Sequence, residues 1–165
     1  MRVLVLCAAL TLAIAASPAP GSDVPATAAA SPAAVTYLLG GVVSGPYRLS
    51  ADLVAGTVEE ARPPPGRFGD GARIDPWTMP ATFRHALTGR DRRVIRELAA
   101  SLLSNGVASP AKCPATAPPP PPDAVVAFAI TPAPGAEPRR LWAAAACLSD
   151  DAARLQRVLH DAAQP

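Results

Sequence analysis

Large side chains for a core are scarce in this chain of 165 residues, which holds three Phe, two Trp and two Tyr. Half of the residues are apolar, but alanine is the largest single part of that share, so any core is thin and built mainly from Leu, Val and Ile. Lysine occurs once against 14 arginines, a bias that with the excess of Ala and Pro reads as GC-rich coding before it reads as guanidinium chemistry. A net charge of +2 is too small to argue for nucleic acid or an anionic membrane as partner.

Catalytic constellations are missing too. The only histidines are His85 and His160, and no serine sits in a Gly-x-Ser-x-Gly elbow, since Ser44 has Val42 and Pro46 at the glycine positions. Cysteines number three, with no CxxC and no HxxxH pair, and Asp70 with Asp75 are too few for a calcium loop. No metal or cofactor is therefore expected. The paired acids Glu59 with Glu60 point to opposite faces of a strand, and Asp150 with Asp151 suit a helix start.

What is present begins with a leader. Met1 to Ala16 combine Arg2, an apolar run from Val3 to Leu10 and beyond Thr11, and small residues around Ala13 to Ala15, the layout of a secretory signal peptide. The run is shorter than the roughly 20 apolar residues that span a bilayer, and Pro18 and Pro20 follow at once. Residues 1–16 are thus expected to be a signal peptide, residues 17–34 a flexible Pro/Ala linker, and residues 35–163 one small domain in the periplasm or outside the cell. Cys7 leaves with the leader, and in an oxidising compartment Cys113 and Cys147 are expected to join. Closing about 35 residues stabilises by roughly 3 to 4 kcal/mol on the chain-entropy argument.

The 21 prolines lie in bursts, which mark internal loops at 62–79 and 107–122. The five prolines Pro118 to Pro122 suit a stiff polyproline II strut inside the disulfide loop. Val35 to Val43 is apolar but interrupted by Gly40, Gly41 and Gly45, which suits a short strand or an irregular packed segment. Tyr47 to Val54 alternates, with Tyr47, Leu49, Ala51 and Leu53 on one face, and Ala55 with Gly56 offers a turn into a strand Thr57 to Ala61.

Pro80 suits the start of a short helix through Leu87, with Phe83 and Leu87 at i and i+4. Thr88 caps a longer helix, Gly89 to Asn105, with Asp91 at the reach-back position and Gly106 beyond its end. Further on, Val126, Phe128 and Ile130 alternate with Val125, Ala127 and Ala129, a mostly small face suited to close packing on a helix.

Leu141, Ala145, Leu148, Ala152, Leu155 and Leu159 step by three and four, so Pro138 could open one long helix. A strand over 139–148 followed by a helix is preferred, because Ser149 with Asp150 and Asp151 is a cap that would be misplaced inside a helix. The fold expected is α+β: a small antiparallel sheet of three to five strands, two main helices on one face, and one disulfide.

The feature with functional content is the arginine set Arg90, Arg92, Arg93 and Arg96, which crowds the first turns of a helix where the macrodipole disfavours positive charge. Extended by Arg139 and Arg140, it reads as an anion-facing patch for an acidic envelope protein, a cell-wall polymer or a lipid headgroup. Trp77, in a loop of Gly, Asp and Pro, either pins that loop to the core or contributes to binding. The expected function is a non-catalytic binding module of a bacterial envelope. The alternative is a small exported enzyme using His85 with Asp75 and Trp77.

Overall fold

The structure is a computed structural model, and it describes residues 31–40, 46–63, 75–113 and 125–164. The signal-peptide region, most of the linker, the bulk of the first Pro-rich loop and the polyproline run lie outside the described residues. Strands β1 (Ala34–Leu39), β2 (Tyr47–Asp52), β3 (Thr57–Ala61) and β4 (Phe83–Ala86) precede helix α1 (Gly89–Asn105); β5 (Val125–Thr131), β6 (Arg139–Ala144) and helix α2 (Asp150–Ala162) follow. The strands form one antiparallel sheet in the order β4-β3-β2-β1-β5-β6.

Six strands exceed the three to five expected. The extra one is β4, where a short helix from Pro80 was expected. Phe83 and Leu87 are four apart, an even spacing that one face of a strand satisfies as well as a helix stripe does. The outer edge of β3 decides between them: Thr82 N–H donates to Glu60 O at 2.7 Å and Leu87 N–H to Gly56 O at 2.8 Å. At the other end, the sheet reaches into the stretch read as linker, where Ala33 is buried and its N–H donates to Thr131 O at 2.8 Å.

The turn between β2 and β3 forms at the expected place. Asp52 Oδ1 accepts from the N–H groups of Val54 at 2.9 Å and Ala55 at 2.8 Å. Gly56 closes it at φ 73°, a left-handed value that a side chain rarely adopts.

Helix α1 has the predicted bounds and cap: Thr88 Oγ1 accepts from Asp91 N–H at 3.1 Å and donates to Asp91 Oδ2 at 2.6 Å. Its stripe Ile95, Leu98, Ala99 and Leu102 is buried. Ser149 caps α2 as expected, and the preceding run is a strand followed by a 3-10 turn, Ala145–Cys147, rather than one long helix. Cys113 and Cys147 form a disulfide with Cα atoms 5.2 Å apart. Beside it Ser109 N–H donates to Cys147 O at 2.8 Å and Ser149 N–H to Val107 O at 2.9 Å, so the chain leaving α1 is tied to the chain entering α2.

The core lies between one face of the sheet and both helices. Val35, Tyr37, Leu49, Val58, Val126, Phe128 and Ile130 point toward Leu102, Leu155 and Leu159. Burying each such large side chain stabilises by about 1.5 to 3 kcal/mol. Thus the bulky face of β5 meets the helices, and Ala127 and Ala129 lie on the opposite face, the reverse of the packing expected from their size. In a chain with so few large residues, the helices pack where those residues are.

Candidate functional site

Neighbouring residues of a strand point to opposite sides, so the sheet presents a second face away from the helices. Register places Leu38, Arg48, Ala127, Ala129, Arg140 and Trp142 on it. The segment around Asp75 to Thr78 lies against this face. A turn holds it, with Asp75 Oδ1 accepting from Trp77 N–H at 3.0 Å, and Arg48, itself buried, donates from Nη1 to Trp77 O at 2.6 Å. The Trp77 carbonyl thus ties this segment to the sheet, and its half-buried ring lies beside Trp142 and Arg140.

That ring meets Trp142 edge to face, with centroids 6.3 Å apart and planes at 88°. The Arg140 guanidinium lies 4.7 Å from the Trp77 ring centroid, a cation–π contact worth about 0.5 to 1 kcal/mol at an exposed site. Trp142 is 56% exposed. Together with the two indoles, Pro76, Leu38, Leu39 and Val125 line an apolar groove of about 210 Å³. Two perpendicular aromatic walls with a cation at the rim make a surface that can pack on a flat apolar group and hold an anionic one.

The other arginines do not join this surface. Arg139 precedes Arg140 in a strand and so points the opposite way, where its Nη1 donates to Leu103 O at 2.9 Å near the carboxyl end of α1. Arg96 donates from Nη2 to Leu53 O at 3.1 Å, and its Nε is buried without a partner among the described residues. Arg92, half-buried, lies against the β2–β3 turn, with Nη1 3.3 Å from where a Cβ on Gly56 would sit. Arg90 and Arg93 are exposed on the outer side of α1. The six arginines are thus not one patch: Arg90 and Arg93 are exposed, Arg92 and Arg96 turn in against the segment Leu53 to Gly56, and a strand separates 139 from 140.

His85 is not brought to Asp75 and Trp77. Its pairing with Val58 puts it on the helix-facing side, where it lines a separate cleft of about 300 Å³ with Glu60, Arg62, Phe83, Ala163 and Gln164. Nearby, the Tyr47 ring stacks on His160 with centroids 5.2 Å apart, and Tyr37 meets Phe128 at 5.3 Å. Burial, then the neighbouring Tyr47, push the Tyr37 phenol up to about 12. Burial, then the charge of Glu60, raise Tyr47 as well. Both hydroxyls are buried; Tyr47 Oη lies close enough to Glu60 and Arg62 to feel them, yet makes no well-formed hydrogen bond with either, and Tyr37 Oη stands likewise toward Gln156.

Trp142 is a member of this surface that lies, in the sequence, inside the apolar run Leu141 to Leu148. The signal for it was alternation: with Leu141 turned to the core, Trp142 must face out. Among the described residues no group of three or more His, Cys, Asp and Glu is placed to hold a metal ion, and no helix is long and apolar enough to cross a membrane. Comparison of the chain with family models, with curated proteins and with solved structures finds no match.

Proposed function

We propose that this chain is an exported, non-catalytic binding module of a bacterial envelope, periplasmic or secreted, and that it takes an anionic cell-wall polymer on the face carrying Trp77, Trp142 and Arg140. The observation that carries the reading is the exposed Trp142 ring set at a right angle to Trp77, with Arg140 over the latter. An acidic protein or a lipid headgroup would be served by the cation alone. A polymer of sugar rings and carboxylates uses the whole surface, because ring C–H faces pack on indoles and a carboxylate pairs with guanidinium. Export is supported by the leader layout of residues 1–16 and agrees with the disulfide, since such bonds persist in oxidising compartments.

Co-sedimentation with insoluble cell-wall sacculi tests the proposal. The unaltered protein is expected in the pellet, and Trp142→Ala and Arg140→Gln in the supernatant, with circular dichroism showing all three folded. Equal sedimentation of the three proteins would remove the surface from consideration. Sedimentation lost in Arg90→Gln with Arg93→Gln, and kept in the Trp142 variant, would move the binding face to α1.

A further inference from the structure

The cleft beside β4 carries groups that the tryptophan surface does not use. Glu60 is only 5% exposed and faces the helices, in register with Leu49 and through it with Tyr37 of the core. Burying a carboxylate at such a place costs stability even when it is paired, so packing alone does not account for the residue. Two residues on, just beyond the end of β3, Arg62 lines the same cleft, and its guanidinium lies 5.2 Å from the Tyr47 ring centroid.

The two charges meet through Arg62 Nε and Glu60 Oε1. That contact leaves the fork of terminal guanidinium nitrogens for a second carboxylate, and the other carboxylate oxygen for a donor. The opposite wall of the cleft is formed by Ala163 and Gln164, just beyond α2, at the negative end of the helix dipole. Phe83, 56% exposed, supplies an apolar wall. A ligand bearing one charge would engage only one of the two groups. A ligand with an ammonium and a carboxylate on the same carbon engages both at once.

We infer that the cleft between β4 and the end of α2 binds a small aliphatic α-amino acid, its ammonium at Glu60 on the side of the negative helix end, its carboxylate at Arg62 and its side chain against Phe83. The cleft volume of about 300 Å³ is at the small end of ligand sites and suits such a molecule. The inference is independent of the wall-polymer reading, since the tryptophan groove is on the opposite face of the sheet.

The test is an amide-proton NMR titration of the full ¹⁵N-labelled chain with L-leucine, leucinamide and N-acetyl-leucine. Leucine is expected to give saturable shifts at Phe83, His85 and Gln164, with each derivative binding roughly tenfold more weakly because one charge is missing. Arg62→Gln should weaken leucine by a similar factor, and Trp142→Ala should leave it unchanged. No saturable shift at about 10 mM leucine, or equal binding of leucine and either derivative by the unaltered protein, would overturn the inference.

Discussion

At the scale of single residues, charge and hydroxyl groups buried near the end of α2 set how the protein responds to alkali. Tyr37 and Tyr47 are the only tyrosines. Burial raises both above the ordinary value of 10.0, Tyr37 to about 12. A phenol whose pKa is raised by folding contributes stability that is complete below the unfolded value and is lost as pH climbs through the folded one. Stability should therefore hold up to about pH 10 and fall between there and about pH 12, while the tyrosinate absorbance of the folded protein lags behind that of the unfolded chain. A spectrophotometric titration in parallel with thermal melts checks this; phenols that ionise near 10 in the folded protein would contradict it. Asp150 is held below the usual carboxylate range by its hydrogen bond to Lys112, at 2.9 Å, but it is solvent-exposed and adds little to stability.

At the scale of elements, caps and turns do much to decide where each piece of secondary structure begins. Thr88→Ala removes the hydroxyl that serves Asp91 and should lower stability by about 1 kcal/mol. Gly56→Ala meets both a positive φ and the Arg92 guanidinium, and should cost at least about 1 kcal/mol. Both are read from urea midpoints at unchanged m-value. Such local signals were also the legible part of the sequence. Thr88 with Asp91 and Gly106 gave α1 its bounds, Ser149 gave the start of α2, and the alternation of Tyr47, Leu49 and Ala51 gave β2 its inward face.

Where a local pattern fitted two elements, contacts distant in sequence chose between them. Phe83 and Leu87 fit a helix or a strand, and the free edge of β3 made β4 a strand. Ala127 and Ala129 fitted close helix packing, but the helices went to the side where Phe128 and Ile130 form the core. The candidate site was legible in its members more than in its grouping. Trp77 and Arg140 stand out in the sequence, yet only the sheet register shows that Arg140 shares a face with Trp142 while Arg139 does not, and only the ring contacts bring Trp77 to them.

At the scale of the whole molecule, a core short of large side chains is closed by a covalent tie. The Cys113–Cys147 disulfide links the exit of α1 to the entry of α2, with Ser101 Oγ donating to Asp151 Oδ2 at 2.5 Å between the helices themselves. Reduction should lower unfolding free energy by roughly 3 to 4 kcal/mol, seen as a lower urea midpoint in the presence of reductant. An unchanged midpoint would show that the packing of α1 and α2 on the sheet holds the fold without the tie. The helices, the core and the disulfide all lie on one side or end of the sheet, which leaves the other face, with its tryptophan pair, as the proposed binding surface.

Because Trp77 and Trp142 are the only tryptophans in the chain, indole emission reports on that surface alone. The most direct measurement is a fluorescence titration of the full chain with soluble peptidoglycan fragments, which carry sugar rings and carboxylates together. Saturable change in emission is expected, with affinity roughly tenfold weaker in Arg140→Gln. Emission that stays constant while the fragments are shown by equilibrium dialysis to bind the protein, or fragments that do not bind at all, would contradict the assignment.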